Sequence, residues 1–246
     1  MATELDVNVY KKLKVAHQRV IESSGDFWNW PSALTLSRPS IARILHLDKT
    51  YRRILKVPGQ ICEFGTHFGS SANILLNLRS IYEPLNQGRV LNVFDTFEGF
   101  SGVSKNDGES KDGDFKLPLD YESLLGEVLG LQAALNPNPH IPSFNIFKGD
   151  ASLTVKKWVD ENPHAIVSLA IFDMDIYKPT VDVLNAIEPL LTRGSVLVFD
   201  ELGHPSFPGE TAALQDTLGL SGLQLQRDPY VPFVTWAVYE GKGHPR

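Results

Sequence analysis

Seven carboxylates stand where this 246-residue chain could do chemistry: Glu63, Asp95, Asp150, Asp173, Asp175, Asp200 and Glu201 each close or follow a short apolar run. The stretch Glu63-Phe64-Gly65-Thr66-His67-Phe68-Gly69-Ser70-Ser71 puts an acid and two glycines where a strand turns into a helix. In an open parallel sheet that turn is where ligands bind. A dinucleotide fingerprint needs a further glycine between these two, and His67 fills that place, which disfavours NAD. An acid followed by Gly-x-x-x-Gly suits instead a ligand with an ammonium group and no phosphate, which describes the methionine part of S-adenosylmethionine. Asp95 is placed to accept from both ribose hydroxyls, and Asp150, after Gly149, to receive the exocyclic amine of adenine. Each of these acids also reads as a helix cap.

The other acids come in two pairs. Neighbouring strands lie about 4.8 Å apart, so Asp173 and Asp175 on one strand end and Asp200 and Glu201 on the next can converge on one cation. Oxygen donors favour magnesium or calcium, and no His/Cys spacing suggests zinc. The alternative is that the same acids cap helices beginning near Pro179 and Pro208.

Residues 1–57 read as helical, with Ile41, Ile44, Leu45, Tyr51, Ile54 and Leu55 recurring near a 3.6 period after Ser37 and with Pro39 in a first turn. Between its helices Phe27-Trp28-Asn29-Trp30-Pro31 is too aromatic to be left in water, and packing against the core or a second subunit is preferred to covering a substrate. From Gly59 the rhythm becomes α/β: strands at 61–64, 90–94, 144–147, 167–172 and 195–199, with helices at 69–82 and 181–191. Near-continuous apolar runs imply burial on both faces, hence five parallel strands. The runs 223–227 and 233–239, joined by a short loop, form an antiparallel hairpin at one edge. Residues 101–142 interrupt the alternation with an acidic polar stretch, either a lid or a solvated insertion, before a helix from Tyr121. The organisation is thus a helical extension, 1–57, and one domain, 58–246.

Lys plus Arg number 23 and Asp plus Glu 29, a net charge of -6, with no footprint for gripping a phosphate backbone; nucleic acid is not expected as a partner. Arg38, Arg43, Arg52 and Arg53, spread along a helix, read as a solvated face rather than a diphosphate site. The one cysteine, Cys62, lies in an apolar run and reads as a buried thiol, which suits a reducing compartment. Glu4, Asp6, Lys11, Lys12, Lys14 and Arg19 break up any signal-peptide core, and prolines interrupt the longest uncharged stretch. A cytoplasmic protein without a membrane span is expected.

Four segments, Glu63-Phe64-Gly65, Phe94-Asp95-Thr96-Phe97-Glu98-Gly99-Phe100, Asp173-Met174-Asp175-Ile176-Tyr177 and Val198-Phe199-Asp200-Glu201, resemble the macrocin O-methyltransferase family over about residues 57–240. The resemblance implies a Rossmann-like class I methyltransferase sheet of seven strands with helices on both faces. It also implies methylation of a hydroxyl, on a sugar or polyhydroxylated secondary-metabolite intermediate, with S-adenosylmethionine and a magnesium ion. By the same resemblance Gly65, Ser70, Ser71, Asp95, Thr96, Asp150 and Ala151 lie along the cofactor; Glu63, Thr66, Gly69, Phe97, Gly149 and Asp173 are counted with them.

Asp173, Asp200 and Glu201 are the expected metal ligands, with Asp175 behind them or acting as the base. Related enzymes commonly show paired aspartates where this chain has Asp200-Glu201, and the extra methylene moves a carboxylate outward. Magnesium would lower the acceptor hydroxyl's pKa and stabilise the alkoxide. Lys178 and His204 are further base candidates, His67 a weaker one. Glu210 reads as a first-turn acid suited to its helix dipole. Two other functions compete: an NAD-dependent oxidoreductase, opposed by His67, and a nonenzymatic nucleoside-binding scaffold. The partner expected is a small hydroxylated acceptor, and a homodimer is plausible from the aromatic segment.

Overall fold

The apolar runs become the strands of one sheet in a computed structural model that describes residues 4–241. The strands are β1 (Gln60–Phe64), β2 (Leu91–Asp95), β3 (Phe144–Lys148), β4 (Val167–Phe172), β5 (Leu191–Phe199), β6 (Gln226–Arg227) and β7 (Thr235–Val238), in the order β3-β2-β1-β4-β5-β7-β6. β3, β2, β1, β4 and β5 are parallel; β7 runs antiparallel to β5 and pairs with β6 at the edge. This is the Rossmann-like sheet of class I methyltransferases. The helices are α1 (Glu4–Ser24), α2 (Arg38–Ile54), α3 (Ser70–Tyr82), α4 (Tyr121–Ala134), α5 (Ala151–Glu161), α6 (Tyr177–Ile187) and α7 (Gly209–Asp216). No helix among the described residues is long and apolar enough to cross a membrane.

The chain divides into two compact units, Met1–Arg43 and Ile44–Arg246. The outer ends of the two expected segments, residues 1 and 246, lie outside the described residues. In the first unit His17 Nδ1 and Thr35 Oγ1 are 2.6 Å apart, and Ser37 Oγ accepts the Ser40 amide where α2 begins. Phe27 and Trp30 meet edge to face at 5.7 Å, and both are exposed, as is Trp28.

In the second unit the period-2 pattern sorts each strand's residues to opposite faces. Ile61, Val93, Leu169, Ile171, Val196 and Val198 pack with Tyr51, Leu75, Leu76 and Leu129 of α2, α3 and α4. Cys62, Ala170 and Leu197 pack with Val155, Trp158, Val183 and Leu184 of α5 and α6. Burial pushes the Cys62 thiol pKa up.

One layer of this second face is a ladder of phenylalanines. Phe147, Phe94, Phe64, Phe172 and Phe199 occupy matching positions on adjacent strands. Their rings stack with centroids 4.7, 4.8, 5.6 and 4.9 Å apart. That is close to the strand spacing itself, so the rings stay stacked across the sheet. The next residue on each strand is Lys148, Asp95, Gly65, Asp173 or Asp200. The ladder thereby sets those five residues level along the C-terminal edge.

At the opposite edge Arg89 is fully buried. It donates to Glu83, to the carbonyls of Ile54, Val57 and Gly59, and to Ser168 Oγ. Arg79 donates to the Arg89 and Asn86 carbonyls, and Tyr51 donates to Glu83 at 2.7 Å. Burial would raise the Glu83 pKa, but hydrogen bonds from Arg89, Tyr51 and Asn86 hold it below its ordinary value. The ends of α2 and α3 are thus pinned to the strand starts.

Several element boundaries differ from the sequence reading. The helix expected at 181–191 is α6, running from Tyr177 to Ile187, and Glu188–Leu190 is a 3-10 turn leading into a longer β5. Pro189 lacks the amide that would continue the helix. β6 shrinks from 223–227 to two residues, because the Leu225 amide folds back onto the Leu223 carbonyl.

Candidate active site

The turns after β1, β2 and β3 are joined through Asp95. Its Oδ2 accepts the His67 amide at 2.7 Å and its Oδ1 the Phe97 amide at 2.6 Å, while its carbonyl accepts the Gly149 amide at 2.9 Å. The backbone pays for this convergence with left-handed conformations at His67 (φ 50°) and Phe97 (φ 56°). Glu63 is only 1% exposed and accepts the Thr66 hydroxyl at 2.8 Å.

Gly65 must be glycine for the protein's own packing. Its φ is 86°, and a Cβ there would stand 1.9 Å from the Asp173 carbonyl oxygen. Gly69 caps α3, Ser70 is exposed and Ser71 buried in its first turn. Thr96 Oγ1 donates to the Gly99 carbonyl and accepts the Glu98 amide, and Phe97 is buried. Asp150 caps α5 by accepting the Ser152 amide at 2.8 Å, with buried Ala151 next to it. Each carboxylate oxygen retains acceptor capacity beyond one amide, so the donors of a nucleoside and an ammonium group fit this edge.

The ends of β4 and β5 gather the other acids. Asp173 donates its amide to the Phe64 carbonyl, and Asp200 its amide to the Phe172 carbonyl. Asp175 sits in a left-handed turn at φ 62°. Burial first, and then the Asp200 charge, lifts its pKa from 3.8 to about 7. Glu210 is fully buried, and burial followed by the charges of Asp175 and Asp200 raises its pKa well above the ordinary range, against amide donation from Glu201 and Asp175. Its Oε2 accepts the Glu201 amide at 3.2 Å, whereas its Oε1 has no hydrogen-bond partner.

The expected convergence of Asp173, Asp200 and Glu201 on a metal ion is not what the side chains do. Glu201 Oε2 lies 3.8 Å from His204 Nδ1, along the loop. No group of three His, Cys, Asp or Glu side chains among the described residues is set to hold an ion. The donors have the hardness magnesium requires, but their arrangement does not fit it.

Lys178 is exposed and donates to Asp182 at 2.6 Å, and that bond raises its pKa, which opposes service as a base. His204 Nδ1 accepts the Ser206 amide at 3.1 Å. Burial lowers the His67 pKa, and the ring lies 4.2 Å from that of Phe68.

The sequence reading missed Asp107. It looks like one of several solvated acids in the insertion, yet it is fully buried. It accepts the Tyr177 amide, so α6 is capped by a residue 70 positions away, and it also accepts the Ser104 amide and hydroxyl. Gly209 leaves room for it, since a Cβ there would stand 2.3 Å from Asp107 Oδ1 and 2.6 Å from the Asp175 carbonyl. Insertion, acid cluster and α7 therefore meet at one point, for which no local pattern offers a signal.

Known structures share this fold. CalS11, a calicheamicin methyltransferase, superposes with a TM-score of 0.91 at 34% identity over 97% of this chain and 94% of that one. Its apo form, described as a TDP-rhamnose 3'-O-methyltransferase of calicheamicin biosynthesis, gives a TM-score of 0.84 at 32% identity over 97% and 96%. The O-methyltransferase NovP shares the fold, with a TM-score of 0.63 at 13% identity over 81% and 80%. No protein-family model matches the chain, and no curated protein sequence matches it.

Proposed function

Because the chain belongs to the O-methyltransferase family that includes CalS11, we propose that this methyltransferase moves a methyl group from S-adenosylmethionine to a hydroxyl of a sugar destined for a secondary metabolite. The observation that carries this reading is identity of 34% over 97% of the chain with a calicheamicin methyltransferase. The motifs Asp95–Phe100 and Asp173–Tyr177 favour the macrocin type within that family.

When bound, the cofactor supplies a methyl group on a sulfonium sulfur, open to attack by oxygen. Asp95, oriented by the His67 and Phe97 amides, accepts the ribose hydroxyls with its remaining lone pairs. Glu63, held by Thr66, takes the ammonium group, and Asp150 receives the adenine amine. Asp175 takes the acceptor's proton as the oxygen–carbon bond forms and the sulfur–carbon bond breaks, its electron pair going to sulfur. A carboxylate with a pKa of about 7 is half ionised at neutral pH and strong enough as a base to assist. Burial, and then the charge of Asp200, keep it so. Burial of the site holds the reacting oxygen near the methyl group, which supplies much of the rate.

Calorimetry with S-adenosylhomocysteine and with NAD, followed by transfer of labelled methyl to a panel of glycosides and nucleotide sugars, tests the proposal. Binding of the first ligand and methylation of a sugar are expected. Binding of NAD alone would reject the reading; cofactor binding without methylation of any acceptor would favour a scaffold. A homodimer formed through exposed Phe27, Trp28 and Trp30 is proposed separately, and light scattering tests it.

A further inference from the structure

The buried carboxylate of Asp107 serves two elements at once. Its Oδ2 accepts the Ser104 amide at 2.7 Å and the Ser104 hydroxyl at 2.8 Å within the insertion, and its Oδ1 accepts the Tyr177 amide at the start of α6. All three donors are uncharged, and burying an acid among neutral partners is a costly way to cap a helix.

A simpler cap was open to the sequence. The N-cap position of α6 holds Ile176, whose side chain makes no cap hydrogen bond, where serine, threonine, asparagine or aspartate would satisfy the same amide locally. Ile176 is buried instead, and the amide is held from 70 positions away. A long-range cap ties two segments together, which a local one does not.

The segment so tied carries Asp175. That residue stands two before Tyr177 on left-handed backbone at φ 62°, and the Ile176 amide closes a tight turn by donating to the Met174 carbonyl at 2.7 Å. At its other end the turn is fixed to the sheet, where the Asp173 amide donates to the Phe64 carbonyl at 2.8 Å. A strained residue persists only where its surroundings over-determine it, and Asp107 is the anchor on the helix side. Gly209 shows how closely the parts fit, since any Cβ there would overlap Asp107 Oδ1, the Asp175 carbonyl and the Tyr177 nitrogen together. The insertion in turn holds Asp107. The Phe100 amide donates to the Asp114 carbonyl and the Gly113 amide to the Phe100 carbonyl, both at 2.9 Å, and Leu117 beyond them is buried in the core.

We propose that Asp107 is a positioning residue for methyl transfer: through the Tyr177 amide it fixes the turn that presents Asp175 to the acceptor hydroxyl. This rests on the reading of Asp175 as the base.

A double-mutant cycle with Asp175→Asn tests it in the full chain. The binding probe is S-adenosylhomocysteine, and turnover is labelled methyl transfer to the fastest sugar acceptor of the panel above. Asp107→Ala should lower kcat by about 10–100-fold, the scale expected for a misplacement of about 1 Å at a reacting group. KM and S-adenosylhomocysteine affinity should stay within about threefold. In the Asp175→Asn background the same change should cost less than about threefold, because no base is left to misplace. Asp107→Asn keeps an oxygen for the Tyr177 amide and should restore kcat to within about fivefold of wild type. Asp112→Ala removes an exposed carboxylate from the same insertion, one that accepts the Val103 amide, and should leave kcat within about twofold. Should Asp107→Ala fail to fold, Gly209→Ala decides, since it crowds the same junction from α7 with every acid in place; its kcat loss should likewise vanish without Asp175.

Hydrogen exchange reads the turn without turnover, and the amides of residues 175–178 should exchange about tenfold faster in either variant than in wild type. Four results would overturn the proposal: an unchanged kcat, a loss that adds in full to that of Asp175→Asn, a loss matched by Asp112→Ala, or unaltered exchange across the turn. A wild-type chain that methylates no acceptor, or an Asp175→Asn variant as fast as wild type, sinks the reading of the base instead; the exchange rates then decide by themselves whether Asp107 holds the turn.

Discussion

The two edges of the sheet treat buried charge in opposite ways. At the N-terminal edge Arg89 and Glu83 are paired, and around them Tyr51, Arg79, Ser168 and three backbone carbonyls complete a network. At the C-terminal edge burial and the Asp200 charge raise the pKa of Asp175, burial and the charges of Asp175 and Asp200 raise that of Glu210, and Glu210 leaves a buried oxygen without a hydrogen bond. Backbone strain follows the same division, with His67, Phe97, Phe115, Asp175 and Phe233 all on the C-terminal side in left-handed conformation. One edge satisfies its buried charges and the other leaves them strained, and ligands bind at the C-terminal ends of parallel strands.

The largest effect expected is at the stabilising edge. Arg89→Met strands Glu83 and several carbonyls without their donor, and should cost about 3–5 kcal/mol in urea unfolding. A cost below about 1 kcal/mol would show that the network is ornamental and break the contrast.

Next comes Asp175→Asn, which should lower kcat by about 10²–10⁴-fold. Asparagine tolerates the left-handed turn, so the unfolding midpoint at pH 8 should not fall. Wild-type kcat should climb with pH through an apparent pKa near 7, and the variant should lose that limb. An unchanged pH profile would remove Asp175 as the base.

Smaller is the effect of the crowded acids on stability. The folded chain holds protons on Asp175 and Glu210 at pH values where the unfolded chain has released them, so stability should fall as pH rises from about 4 to about 7. Glu210→Gln removes its share and should raise stability at pH 8 by about 1 kcal/mol, or about 2–4 °C. A destabilised variant would mean that the Glu210 carboxyl has a partner worth more than its burial costs.

The smallest effect is expected from chelation, since Asp173, Asp200 and Glu201 are not gathered as a ligand set. Turnover with EDTA should stay within about twofold. A deep loss restored by magnesium would transfer the proton's acidification from Asp175 to the ion.

Much of the frame was legible. Strands 61–64 and 167–172 showed as apolar runs, and each carries its acid within one or two residues of the phenylalanine that ends it. The phenylalanine ladder was equally present in the letters, as one Phe before each edge residue, but its stacking appears only when the five strands lie side by side in register. Asp107 was illegible: buried and capping α6, it stands among exposed acids of the same type, and nothing within reach of a helical or strand period distinguishes it. Gly65 was assigned to a ligand-binding turn, while its space is required by Asp173 across the sheet.

The strand succession and the placement of carboxylates at strand ends belong to the sequence alone, because an apolar run and its terminal acid are set by neighbours along the chain. Which acids are shifted toward the protonated form only the tertiary structure decided. Asp175 and Glu210 are shifted by burial and by the charges of acids far away in the chain, and those are properties of the assembled edge.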